Sequence, residues 1–429
     1  MGLSCRWMAA PALDSDGQAS PLGQRRWAIA TLLFLATLLN YLDRQVLSLV
    51  SPVLRRDFGL TATGYSHIVT AFLLGYALTQ LFAGRVIDRV GPRLSLLVAM
   101  LWWSAAGMVT ATAHLVIQLG ALLLLMGVGE AVSWPASVKA IQECFPPKDR
   151  AVAVGYFNSG SAVGAVLAPF FVTSLALRYS WRVAFVVCGL IGFLWVVPWL
   201  IVYPARSKMV RCTSSELNRT GRPPLALLAT DVRMWGVILA RFFGDSIWLF
   251  YIFWLPDYLS RVRGFSMSII GLTAWIPFLA AGLGNVAGGS LSGILIRRGV
   301  PAAKARLSVM LVSAAAMVLG PGVWFCSNPV GAIALISFVV FSYSSWAANI
   351  LTLPSDLFAS DAVATTVGFS GTAAGLGGML TTLLAGRVID HYSYEPVFFG
   401  LGLLPVCAGA CALLTLARRQ TFPASCPEN

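Results

Sequence analysis

Asp43 and Arg44 interrupt a run built to dissolve in hydrocarbon: "WAIATLLFLATLL" begins at Trp27, the charges follow in "NYLDRQV", and apolar residues resume in "LSLVSPVL". Glu130 is set in the same way inside "LLLLMGVGEAVSW". A charge at the centre of a bilayer costs roughly 3 kcal/mol on the gentlest insertion scale, so such residues face a protein interior or a watery cavity. The chemistry open to them is the pairing and neutralisation of charge, because an arginine stays protonated whereas a carboxyl can pass between ionised and neutral forms. Covalent catalysis has no comparable foothold: HExxH, GxSxG and a Walker loop are absent, and His67, His114 and His391 are far apart. The eight cysteines form no CxxC pair and imply neither a metal site nor a disulfide framework. An enzyme is not expected, and neither is a cofactor or a metal.

The elements that must position these charges are membrane helices. Of 429 residues, 58% are hydrophobic and 11% charged, with a mean hydropathy of +0.78; a soluble globular chain carries about 25% charged residues. Apolar stretches of about 20 residues, enough to cross a bilayer, fall at 27–50, 64–84, 94–113, 115–141, 151–176, 182–203, 232–259, 269–296, 305–326, 329–353, 362–388 and 395–417. The longest polar interruption, "YPARSKMVRCTSSELNRTGRPP", separates the sixth from the seventh and reads as a linker. The expected architecture is an all-α integral membrane protein with a tail over 1–26, a six-helix half over 27–203, a linker over 204–231, a second six-helix half over 232–417 and a tail over 418–429.

Cytoplasmic loops are enriched in Lys and Arg. On this placement 21 of the 30 basic residues fall on one side and 7 on the other, with Arg44 and Arg241 inside helices. Both termini are therefore expected in the cytoplasm, and the tail holding Asp14 and Asp16 reads as cytoplasmic and not as a cleaved signal. The net charge of +13 is topological, with no basic block interleaved with aromatics to suggest nucleic acid. The halves also repeat. Shifting Met126–Leu190 by 213 positions sets Phe145 over Phe358, Gly155 over Gly368, Gly164 over Gly377 and Tyr179 over Tyr392. An even number of spans between the copies keeps them parallel, as in transporters whose site lies between two halves near the midplane.

At this point the residues carry a resemblance. "GRVIDRVGPR", Gly84 to Arg93, resembles the loop motif of the major facilitator superfamily. "GVGEAVSWPASVKAIQECFPPKDRAVAVGYFNSGSAVGAVLAPF", Gly127 to Phe170, is similar to the anion:cation symporter family and within it to bacterial hexuronate and sugar-acid transporters. "RFFGDSIWLFYIFWLPDYL" from Arg241, "AWIPFLAAGLGNVAGG" from Ala274, and "LPSDLF" with "VGFSGTAAGLGGML" extend the likeness through the second half.

The resemblance implies that Arg44 binds the substrate carboxylate, a role suited to a planar fork of donors. It implies proton coupling at Asp43 and Glu130, and hydroxyl contacts at Tyr41 and Tyr76. Asn158 lies on the fifth helix among candidate cavity groups, and Trp248, Tyr251, Trp254, Trp346, Asn349 and Thr372 are candidates for the opposite wall. The plainer alternatives stay open: Asp43 as a packing or salt-bridge residue, since neighbours on a helix point about 100° apart, and the aromatics as core or lipid-facing residues. Gly84, Asp88, Arg89, Gly91 and Arg93 form the expected conformational gate, with ordinary solvated loop charge as the alternative.

Three positions depart from the pattern: Leu123 replaces a second arginine, Gly282 an aspartate and Ser246 a proline. Without an arginine at Leu123 a dicarboxylate such as glucarate is less expected than a monocarboxylate. The reading is a cell-membrane importer of a monocarboxylic sugar acid, hexuronate first, by proton symport and alternating access. Its expected partners are the small anion, the proton and the bilayer, with no nucleic acid and a monomeric state. Galactonate, glucarate, an aromatic or hydroxy acid, or a proton-driven efflux role remain as alternatives.

Overall fold

The computed structural model describes residues 21–203, 230–358 and 360–416, with no strand among them. Among these residues eleven helical spans are long and apolar enough to cross a membrane, and a bent pair makes a twelfth. They are α1 (Pro21–Leu49, continued after a 48° bend by Ser51–Asp57), α2 (Ala62–Val90), α3 (Pro92–Thr110), α4 (Val116–Cys144), α5 (Pro147–Arg178), α6 (Trp181–Val202), α7 (Val232–Arg261), α8 (Met267–Arg297), α9 (Ala302–Phe325), α10 (Pro329–Leu357), α11 (Ser360–His391) and α12 (Glu395–Leu416). Most of the expected linker, over 204–229, and the tails over 1–20 and 417–429 lie outside the described residues.

The apolar stretches locate the spans, and prolines decide where they break. Within the described residues the first helix already runs at Pro21, ahead of the apolar edge at Trp27. It also runs past residue 50. Pro52 cannot donate to the Ser48 carbonyl, so the span bends there and its last turns carry Arg55 and Asp57 onward. α4 breaks after Glu130, where Pro135 has no N–H for the Ala131 carbonyl, and α8 breaks at Ala274 ahead of Pro277.

Packing reproduces the internal repeat. α1 packs on α5 as α7 does on α11, α2 on α4 as α8 on α10, and α3 on α6 as α9 on α12. Gly164 and Gly377, paired by the 213-residue shift, each sit where a Cβ would meet a carbonyl of the facing helix, Leu38 and Phe242 respectively. Small residues allow that close approach. Phe145 and Phe358 both end a helix in extended backbone, at φ −115° and −121°. An arginine covers each ring, Arg26 at 5.9 Å and Arg233 at 5.2 Å.

The two halves meet through α2–α11, α5–α8 and α1–α7. An even number of spans puts both chain ends on one side, and the halves are sealed on the other. There Arg55 Nη1 donates to Asp257 Oδ2 at 2.6 Å, and the Tyr394 hydroxyl donates to the same oxygen at 2.5 Å. Ser48 bonds the Ile252 carbonyl, Tyr65 bonds the Phe253 carbonyl at 3.0 Å, and Asp390 accepts the Ala62 and Thr63 amides at 2.7 Å each. The last contact places a carboxylate at the positive N-terminal end of α2.

On the side of the chain ends, the α2–α3 turn is made by Gly91 at φ +86°, a backbone region that side chains disfavour. Asp88 pairs with Lys139 of α4. Arg93 donates to the Leu200 carbonyl at 3.0 Å, near the C-terminal end of α6, where a cation complements the helix dipole. Arg89 is exposed near the end of α2, and Gly84 has open space where a Cβ would stand. These contacts all lie within the first half.

Candidate functional site

A cavity of about 290 Å³ lies between the halves, from mid-membrane toward the side of the chain ends. That is near the lower end of the volumes that hold one small molecule. On α1, Thr37, Asn40, Tyr41 and Arg44 border it; their spacing of three and four residues is that of one helix face. Arg44 donates from Nε (3.3 Å) and Nη2 (3.1 Å) to Glu130 Oε2. The guanidinium lies 4.8 Å from the Tyr76 ring centre, 5.4 Å from Tyr41 and 5.5 Å from Phe72, a box of π faces that favours a cation. Glu130 is the last residue before the break in α4 and is 1% exposed. Its second oxygen, Oε1, is buried with no hydrogen-bond partner among the described residues. The pair is therefore closed on one oxygen only, and the other is an acceptor without compensation.

The second half supplies its own pair. Arg241 and Asp245, one turn apart on α7, meet through Nε and Nη2 to Oδ2 at 3.0 and 2.8 Å. Arg241 Nη1 also donates to Ser370 Oγ at 3.2 Å, and the Tyr343 hydroxyl donates to Asp245 Oδ1 at 3.0 Å. Tyr343 stacks on Trp248 (5.5 Å, 8° between planes), which meets Phe278 edge-on at 5.9 Å. All of these except Ser370 border the cavity. Sequence reasoning placed Arg241 inside a helix and stopped there. The signal was available: "RFFGDS" puts an arginine and an aspartate four apart in an apolar run, the same anomaly as at Asp43 and Arg44.

The structure thus brings Arg44, Tyr41, Tyr76, Glu130, Asn158 and Trp248 to one cavity. Asn158 Oδ1 there faces the Trp134 indole N–H at 3.4 Å. Asp43 does not border the cavity: it turns into the first half, where Trp103 Nε1 donates to its Oδ2 at 3.1 Å. Trp254 is buried against Tyr65, Phe250 and Tyr394 on the sealed side. Tyr251 and Trp346 are buried away from the cavity. Asn349 ties α10 to α8 through Nδ2 to the Gly288 carbonyl at 3.1 Å, and Thr372 bonds back to the Gly368 carbonyl of its own helix at 3.2 Å. Helix rotation turns Asp43 and Asn349 into their own halves, whereas Trp254 lies between the halves but beyond the sealed end of the cavity. Of the three departures, Gly282 borders the cavity, Leu123 is buried in α4, and Ser246 bonds back to the Phe242 carbonyl at 2.6 Å.

Residues 33–382 match the family model described as Major Facilitator Superfamily. The chain is 31% identical over 414 residues, 92% of its length and 94% of the relative's, to the hexuronate transporter of Escherichia coli (strain K12). It is 28% identical to the D-galactonate transporter of Escherichia coli O6:H1, covering 90% of this chain and 94% of that one. Among solved structures it is similar to a bacterial homologue of the human lysosomal transporter Spinster in an inward-facing, unoccupied conformation, with a TM-score of 0.67, 20% identity and coverage of 93% and 96%.

Proposed function

Because the chain belongs to the major facilitator superfamily and is a multi-pass membrane transporter, not an enzyme, we propose that it imports a monocarboxylic sugar acid, hexuronate first, together with at least one proton. The observation that carries this is the Arg44–Glu130 pair in the wall of the cavity between the halves. A carboxylate entering the cavity competes with Glu130 for the same guanidinium, whose planar fork suits two-point recognition of the incoming group. Once displaced, Glu130 is a buried charge without its partner. Taking up a proton removes that charge, which would otherwise be strongly destabilising. Anion binding and proton binding then favour one another, as coupled import requires.

The relatives named hexuronate and D-galactonate transporters support the sugar-acid class. The excess of basic residues on the side of the chain ends supports a cytoplasmic location for both ends. In that orientation the cavity faces the cytoplasm and the Arg55–Asp257 contacts close the outer side. The coupling ion is the proton, with no other cofactor, and a monomer suffices because each chain carries both halves of the site.

The test is a panel of hexuronates, aldonates, aldarates and aromatic acids scored by thermal protection of the purified protein, followed by uptake into proteoliposomes under an imposed pH gradient. Protection by glucuronate or galacturonate and accumulation driven by the gradient are expected. Protection confined to aromatic acids, or uptake indifferent to the gradient, would overturn the substrate or the coupling respectively.

A further inference from the structure

Two arginine–carboxylate pairs border one cavity, and they are not equivalent. Arg44 is held by a single oxygen of Glu130, and the other Glu130 oxygen has no partner among the described residues. In the second half, Asp245 is bonded on both oxygens, twice by Arg241 and once by Tyr343, while Arg241 is further tied to Ser370 of α11. Opening the first pair frees a guanidinium and leaves one carboxyl to be neutralised. Parting the second breaks two hydrogen bonds as well, but Tyr343 still holds Asp245 and Ser370 still holds Arg241, so both partners stay fixed where the pair re-forms. The first pair is built to exchange partners and the second to stay closed.

A closed, ionised pair presents no net charge to a ligand. It does present polarised donors and acceptors in a fixed array, with lone pairs on the carboxylate and a hydroxyl on Tyr343 that both donates and accepts. Such groups read neutral hydroxyls. They do not capture a second anion, because Arg241 has already spent its charge on Asp245. Trp248, stacked on Tyr343 and bordering the cavity, adds apolar surface beside them of the kind that covers carbohydrate C–H groups.

We infer that Arg241, Asp245 and Tyr343 bind the hydroxyl-bearing end of the acid whose carboxylate is held at Arg44, and so make the transporter select polyhydroxylated monoanions over plain carboxylic acids and over dianions. This rests on the anion role of Arg44 proposed above. The substrate then lies across the interface, its charge on the first half and its hydroxyls on the second. Selectivity follows because a site built to bond a hydroxyl discriminates strongly against analogues that lack it.

The experiment measures binding to purified protein of glucuronate, of its monodeoxy analogues, of a hexarate and of propionate. Tyr343→Phe keeps the ring that stacks on Trp248 and removes the hydroxyl, which donates to Asp245 and offers its oxygen to the ligand, and should weaken glucuronate about tenfold or more. The same substitution should leave at least one monodeoxy analogue, the one missing the hydroxyl that Tyr343 meets, unchanged relative to wild type. Ser370→Ala, which releases Arg241 without touching the ligand, should lessen the preference for glucuronate over propionate. Propionate binding as tightly as glucuronate, a hexarate binding more tightly, or Tyr343→Phe weakening every analogue equally would overturn the inference while leaving the anion site standing. If Arg44→Lys leaves affinity for all of these acids unchanged, the underlying reading of Arg44 fails instead.

Discussion

Arg44 and Glu130 form a minimal exchange device: one fixed cation, one carboxyl with an idle oxygen, and room beside them for another carboxylate. Lysine at 44 would keep the charge but lose the fork and the fit among three rings, and Arg44→Lys is expected to reduce glucuronate affinity by a factor of about 10 to 100 in a binding titration. Glu130→Gln mimics the neutral carboxyl without its proton. It should still exchange labelled for unlabelled substrate across a vesicle membrane while failing to accumulate it when only a pH gradient is applied. Retained accumulation would remove Glu130 as the obligatory proton site. Asp43 faces Trp103 inside the first half and does not border the cavity.

At the scale of elements, breaks and caps set where the site groups stand. The fracture of α4 after Glu130 leaves that residue at a helix end, and the bend at Pro52 turns Arg55 toward α7. α7, which carries Arg241 and Asp245, is started by Asp231, whose side chain accepts the Arg233 amide at 2.8 Å. Burial alone would raise the Asp231 carboxyl, but hydrogen bonds from the Arg233 side chain and backbone outweigh it and hold the group below the usual carboxylate range. A group with a lowered folded value stabilises above its unfolded value, about 4, and loses that contribution as pH falls through the lowered one. Asp231→Ala should therefore cost about 1 kcal/mol at neutral pH. In melting curves its deficit against wild type should shrink as the pH is taken below about 4; a constant gap would show that the cap acts without its charge.

The whole molecule is held with one side open and the other shut, and the shut side contains a concentrated electrostatic lock. Asp257 has no exposed side-chain surface and is met by Arg55, Tyr394 and, at 3.3 Å, Arg261. Arg55 belongs to the first half and Asp257 to the second, so the pair must separate when the halves rock apart. Removing one partner of a buried pair costs about 3–5 kcal/mol, enough to move a two-state balance by about two to four decades. Asp257→Asn is expected to populate the form open on that side. A cysteine placed at the buried Ser51, in a chain freed of its own cysteines, should then react several-fold faster with a membrane-impermeant thiol reagent added outside; an unchanged rate would show that the lock does not set the balance. Reporters fused at Thr213 and after Asn429 should both signal from the cytoplasm, and a periplasmic signal from either would reverse the assignment of the sides.

Much of this was legible without coordinates. Hydropathy located the twelve spans because desolvation acts on each segment separately, and the 213-residue shift that pairs Gly164 with Gly377 foretold matching helix contacts because both glycines answer the same close approach. The charges at Arg44 and Glu130 stood out for the same local reason. Whether a residue faces the cavity was a different kind of question. It depends on how each helix is rotated against its neighbours, a matter of about 100° between adjacent positions, and the sequence reading named Asp43, Trp254, Trp346, Asn349 and Thr372 as site residues although none of them borders the cavity. The Arg241–Asp245–Tyr343 cluster joins α7 to α10, residues almost a hundred positions apart, and the Arg55–Asp257 lock joins the two halves across 202. Such contacts arise only when all twelve helices are packed, so tertiary structure decided them.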